Sequence, residues 1–205
     1  AEATTSAIRA AGGTAQAVAF DLADPDSVKA LVEAATATFG GLTGDSAVQI
    51  DTSLTVSMAS PASYLFSGTL SGNGKFVKSG TGTQTLLTPS NTLVGGLDIT
   101  QGELIAANTA ALGTGPVRIR SSASLTLGAT GAAAFAIDHV DLVRDASGTI
   151  RLGDDGLVVR YVGASPLSSY YAAIMSARGS GNWAGTGITS ALAAVQAAQA
   201  GDVVV

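Results

Sequence analysis

Few side chains in this sequence have the type and spacing that chemistry needs. His139 is its one histidine, flanked by Asp138 and Asp141 in "AIDHVDLV". An imidazole beside carboxylates could serve as a base, but a Ser-His-Asp site needs its nucleophile on a sharp elbow. No G-x-S-x-G occurs, so a strand-edge histidine is the favoured reading. Asp154-Asp155-Gly156 suggests calcium, yet no acidic residue follows at EF-hand spacing, and the tripeptide reads as a hairpin or solenoid turn. Trp183 in "GSGNWAGTG" and the pair Tyr170-Tyr171 could stack on a sugar ring. The competing reading is that these aromatics pack helices onto a β body. Phe66 and Phe76 read as solenoid core or end stacking.

The glycine-rich stretches do not cradle phosphate. Gly74-Lys75 has Thr69 where the first glycine of a G-x-x-x-x-G-K-[ST] loop would stand, and Phe76 where the hydroxyl would be. No G-x-G-x-x-G occurs from Gly72, Gly80, Gly113 or Gly179. These are turn glycines. No catalytic, cofactor-binding or metal residue is assigned, and no cofactor is expected.

Composition narrows the classes further. The chain has 205 residues, 46% of them hydrophobic and only 12% charged, so it can bury a core and does not read as disordered. Its 26 glycines, with many Thr and Ser, predict short strands joined by numerous turns. The net charge of −5 and the three lysines (Lys29, Lys75, Lys78) leave no basic stripe, so no nucleic-acid partner is expected. Cysteine is absent, which excludes disulfides, thiolate catalysis and Cys-based zinc sites. No apolar run is long enough for a membrane span. "AEATTSAIRA" has neither a basic start nor an apolar centre and reads as the interior of a helix, so the sequence reads as a fragment or processed product.

A break falls near Thr43. Before it the pattern is helix, strand, helix: "AEATTSAIRAAGG", then "AQAVAF" (15–20), then a helix over 25–39 closed by Gly40-Gly41. "AIRAAGGTAQAVAFDLADPDSVKALVEAATATFGGL" resembles part of the short-chain dehydrogenase/reductase family, with Asp21-Leu22 where that family's adenine-contacting Asp sits. The resemblance implies an NAD(P)-dependent oxidoreductase fragment. The family's glycine loop and Asn-Asn-Ala-Gly turn are missing. Its Tyr-x-x-x-Lys pair is excluded, because Gly68, Ser165, Ile174 and Met175 stand four residues beyond Tyr64, Tyr161, Tyr170 and Tyr171.

After Thr43 the period becomes two. "VQIDTSLTV", "TLLT", "LDIT", "ELIAA", "VRIR" and "SLTL" read as strands separated by Gly, Asn and Ser turns. Alternation puts Leu97, Ile99, Val117, Ile119, Leu125 and Leu127 inside, with Thr, Asp, Arg and Ser on the other face. One such rung cannot bury its face alone, so rungs must stack. Residues 66–128 resemble the autotransporter-associated β-strand repeat of bacterial surface passenger proteins. The matching pieces are Lys78-Ser79-Gly80-Thr81-Gly82-Thr83, Asn91-Thr92-Leu93-Val94-Gly95-Gly96, Gly102-Glu103-Leu104 and Leu112-Gly113-Thr114-Gly115-Pro116-Val117. This resemblance implies a right-handed parallel β-helix held outside the cell. "IRLGDDGLVVRYVGASPLSSYYAAIMSARGSGNWAGTGITSALAAV" resembles a region that follows such repeats. Ser165 is the expected N-cap, Pro166 the first helical residue, "LSSYYAAIMSAR" the helix, and "ITSALAAVQAAQAG" a second helix closed by Gly201.

The expected fold is therefore mainly β: a short right-handed parallel β-helix with an α/β N-terminal piece and C-terminal helices. Its expected parts are 1–43, resembling part of a dinucleotide-binding fold and able to cap the solenoid; 44–160, the solenoid repeats; and 161–205, a helical Gly/Ala-rich region. The expected function is a non-catalytic structural or adhesive segment of a secreted or surface-displayed bacterial passenger, with a protein or carbohydrate partner. The alternatives are the dehydrogenase/reductase fragment and a carbohydrate-binding module using Trp183 and the tyrosines.

Overall fold

The computed structural model describes residues 38–88, 91–108, 110–128, 135–138, 141–153 and 156–199. Thr38 opens a compact unit distinct from residues 1–37. Within it, short strands follow one another round three faces. The first sheet is β1 (Thr38–Phe39), β3 (Ser53–Ser57), β6 (Lys75–Ser79), β9 (Leu97–Ile99), β11 (Val117–Ile119) and β14 (Leu142–Arg144), in that spatial order. The second is β4 (Ser63–Phe66), β7 (Thr83–Leu86), β10 (Gly102–Ala106), β12 (Ala123–Leu127), β15 (Thr149–Leu152) and β17 (Ile188–Ser190). A third, shorter sheet holds β2 (Val48–Gln49), β5 (Leu70–Gly72) and β8 (Thr92–Leu93), and β13 (Phe135–Asp138) pairs separately with β16 (Leu157–Arg160). All strand pairs among the described residues are parallel. The fold is a parallel β-solenoid of about five turns.

Register explains why these residues make this fold. Phe76 pairs with Leu97, Leu97 with Val117, and Val117 with Leu142. One coil thus takes roughly 20 to 25 residues, within the range of solenoid repeats. Alternation sends one apolar residue of every pair inward, and stacking covers it with its counterpart in the next coil. Leu97, Ile99, Val117, Ile119, Leu125 and Leu127 are all buried, as expected, and Phe66 and Phe76 lie in the same core. Each such side chain contributes about 1.5–3 kcal/mol when removed from water. Differences in coil length are absorbed in the turns, which leaves the ladders in register.

Several local expectations change. "VQIDTSLTV" is two strands, β2 and β3, because the chain bends at 50–52 to pass from the third face to the first. Thr38 and Phe39 end no helix; they pair with Thr55 and Val56 of β3. The aromatic side chain of Phe39 suits an edge strand. The rest of the expected helix 25–39, the strand 15–20 and the expected cap lie outside the described residues, as does His139. Asp98 points outward but is nearly covered, because Arg120 grips it with two bonds of 2.9 Å, Nε to Oδ1 and Nη2 to Oδ2.

Two helices modify the last coil. Helix α1 (Leu167–Arg178) matches "LSSYYAAIMSAR" in full and stands between β16 and β17, where the chain order would otherwise place another first-sheet strand. Its small buried residues, Ala173 and Ala177, allow close approach, and Tyr170 packs beside them against the core. Pro166 is the N-cap and not the first helical residue; Ser165 Oγ accepts a bond from the Leu167 N–H at 3.3 Å. "ITS" is strand β17, and α2 begins only at Ala191 (Ala191–Gln199). Ile188 is β-branched and buried, so packing favours a strand there. Gly201, Asp154 and Asp155 lie outside the described residues. Strands β15 and β16, on either side of Asp154-Asp155, belong to different sheets and do not pair with each other.

Candidate functional site

The buried polar groups of the coils serve structure. Lys78 occupies an inward position whose neighbours in register are Val56 and Ile99, and it is fully buried. Its Nζ donates to the carbonyls of Ser79 (2.9 Å), Gly80 (2.8 Å) and Gln101 (3.0 Å), tying the corners of two successive coils. Burial pushes its pKa down to about 8, while the Glu103 carboxylate pulls the other way. A side chain at Gly102, which has φ +70°, would strike this cage. Arg144 braces its own corner in a later coil, with Nη1 donating to the carbonyls of Asp145, Ala146 and Gly148. Asn91 Oδ1 accepts from the Leu70 N–H and Nδ2 donates to the Ala111 carbonyl, both at 2.7 Å, so one amide joins three coils. Gln84 fastens the first coil by accepting from the Leu42 N–H and donating to the Leu42 carbonyl, both at 2.9 Å. Lys78 and Asn91 lead two of the four stretches that resemble the repeat, and here both hold coil to coil. Each satisfies backbone groups that burial would otherwise leave unpaired.

One place combines an aromatic with several polar groups. It is a cleft of about 660 Å³ on the outward face of the second sheet, near its C-terminal end. Glu103, Thr126, Thr149, Arg151, Thr189 and Trp183 line it, with the start of α2 at one side. The floor follows from register: Ile105, Thr126, Arg151 and Thr189 pair in turn across four rungs, and Glu103, Ser124 and Thr149 form the parallel line. Thr126 Oγ1 donates to Glu103 Oε1, which fixes the carboxylate against the sheet. Arg151 is exposed, and no ion pair engages it among the described residues.

The wall is the loop 179–187. Trp183 sits there with φ 56°, a left-handed conformation that is costly for a bulky residue. It persists because neighbours fix it: the Trp183 N–H donates to the Arg178 carbonyl at 3.3 Å, and Thr189 Oγ1 donates to the Trp183 carbonyl at 2.9 Å. The loop also lies tightly on α1. A Cβ on Gly187, itself at φ +129°, would collide with the Ala173 carbonyl. The glycines of "GSGNWAGTG" therefore seat the loop and do not loosen it.

The structure separates the aromatics that the sequence grouped. Trp183 lines the cleft. Tyr170 instead packs under α1, where burial raises its pKa, and it lines an apolar groove of about 350 Å³ with Leu157, Val159, Tyr161, Leu167 and Ile174. Tyr171 is exposed on α1 and does not line the cleft. Glu103 and Arg151 were not legible as site residues; aligning the strands of successive coils would have put them on one ladder. Among the described residues no three His, Cys, Asp or Glu side chains converge as a metal site would require, and no helix is long and apolar enough to cross a membrane. No protein-family model matches the chain, and neither does any curated protein or solved structure.

Proposed function

We propose that this chain is a non-catalytic structural and adhesive segment of a bacterial passenger protein, held outside the cell. The observation that carries the reading is the use of its polar core groups: Lys78, Asn91 and Gln84 all bond to backbone and fasten one coil to the next. A scaffold spends its polar interior in this way, whereas an enzyme keeps polar groups free to meet substrate. The low charge content and the repeat resemblance over residues 66–128 support the same reading. Stacked coils extend reach in one direction at a constant cross-section, which suits a stalk that presents a binding face. The test is removal of the coils from the parent gene. Cells lacking residues 44–199 should lose attachment to their substratum at unchanged growth rate. Unaltered attachment would contradict the adhesive role.

A further inference from the structure

We infer that the cleft under the Trp183 loop binds a neutral oligosaccharide laid across the rungs of the second sheet. This deepens the adhesive reading and rests on it. The chemistry of the lining selects the ligand class. An indole offers a broad apolar face against which sugar C–H bonds pack, and it loses little side-chain entropy on binding. Around it stand the hydroxyl oxygens of Thr126 and Thr189, left as acceptors because their protons go to Glu103 and to the Trp183 carbonyl, with the Thr149 hydroxyl, the Glu103 carboxylate and one guanidinium donor on Arg151. That mixture matches a ligand bearing alternating hydroxyl donors and acceptors. A phosphate or polyanion would want clustered cations, and here a single arginine lines the cleft together with a carboxylate. An apolar peptide would want an unbroken greasy groove, but here Thr126, Arg151 and Thr189 run between the apolar lining of Leu152, Ala184, Ala191 and Ala194.

Geometry adds two independent points. Rungs of a parallel sheet repeat every ~4.8 Å, close to the length of one pyranose, so a linear saccharide can meet one side chain of the Thr126, Arg151, Thr189 ladder at each ring. The cleft is also built before any ligand arrives. The left-handed Trp183 is held by Arg178, Thr189 and the close seating of Gly187 on α1, and strain kept in place by neighbours marks a pre-organised site.

Trp183 is the sequence's one tryptophan, so its emission reports on this site directly. The purified full chain is titrated with cellohexaose, chitohexaose and maltohexaose, with hexagalacturonate as the acidic comparison and hexaglutamate as the peptide comparison. The expected result is a saturable emission change with at least one neutral hexasaccharide and none with the two anions. By calorimetry, Trp183→Ala and Arg151→Ala should each weaken that binding at least tenfold, while Tyr171→Ala leaves it unchanged. Arg151 is exposed, so its variant keeps the fold even if Trp183→Ala does not. No saturable response to any neutral hexasaccharide, a response to an anion alone, or full affinity in Arg151→Ala overturns the assignment. Because the assay uses purified protein, its failure leaves surface display standing, and failure of display leaves the binding curve intact.

Discussion

Replacing Asn91 with leucine gives the sharpest test of how the coils are held. The side chains are close in size, so the substitution opens little space. It strands two buried backbone groups, the Leu70 N–H and the Ala111 carbonyl, that the amide now meets at 2.7 Å each. An unpaired buried donor or acceptor costs about 1–3 kcal/mol, so the pair should cost about 2–6 kcal/mol. The buried leucine side chain returns about 1.5–3 kcal/mol, roughly half of that cost. Orphaned groups therefore win, and urea unfolding should show a midpoint shifted well down at unchanged slope. Asn91→Asp refines the test. An aspartate keeps the acceptor for Leu70 but turns an acceptor toward the Ala111 carbonyl, so burial and repulsion raise its folded pKa above its unfolded value of about 3.9. The penalty is then absent at low pH, where a protonated carboxyl can donate, and grows as pH rises through the folded pKa. A change below about 0.5 kcal/mol in Asn91→Leu, the range of ordinary surface substitutions, would refute the reasoning.

Three further outcomes follow from the same structure. Lys78 has a folded pKa of about 8, below its ordinary 10.5, so the unfolded chain binds more protons between those values. Stability should therefore rise as pH climbs from about 8 toward 10.5, and Lys78→Met should abolish the rise in pH-dependent unfolding. Ile119→Asp buries an unpaired charge at a fully covered position, and circular dichroism should show the coils unfolded or their thermal midpoint sharply lowered, a loss of several kcal/mol. Calorimetric titration should find no measurable affinity for NAD or NADP, since the chain lacks the glycine loop and Tyr/Lys pair; a micromolar dissociation constant for either would overturn the non-catalytic reading.

Much of the fold was legible because period-two alternation and turn glycines are local signals. They located β7, β9, β10, β11 and β12 to within about two residues, and the Ser165-Pro166 start signal gave the range of α1 in full. What escaped depends on stacking. Lys78 looks like a surface lysine in sequence, and only the cage of Ser79, Gly80 and Gln101 carbonyls makes its burial tolerable. Thr38–Phe39 and Ile188–Ser190 fall inside the helices expected over 25–39 and over "ITSALAAVQAAQAG", and their pairing with β3 and β15 decides for strand. The cleft was half visible. Trp183 drew notice as a single aromatic in a glycine-rich loop, but Glu103 and Arg151 reach it only through the register of coils of unequal length and the excursion of α1. The tyrosines were grouped with it by composition, and helix geometry sends Tyr170 inward and Tyr171 out.

The central claim is that these coils stand outside the cell as a scaffold, and surface labelling of intact producing cells tests it most directly. An antibody raised against residues 44–199 should label unpermeabilised cells, and external protease should remove the signal while a cytosolic marker stays whole. Labelling that appears only after permeabilisation would contradict the account.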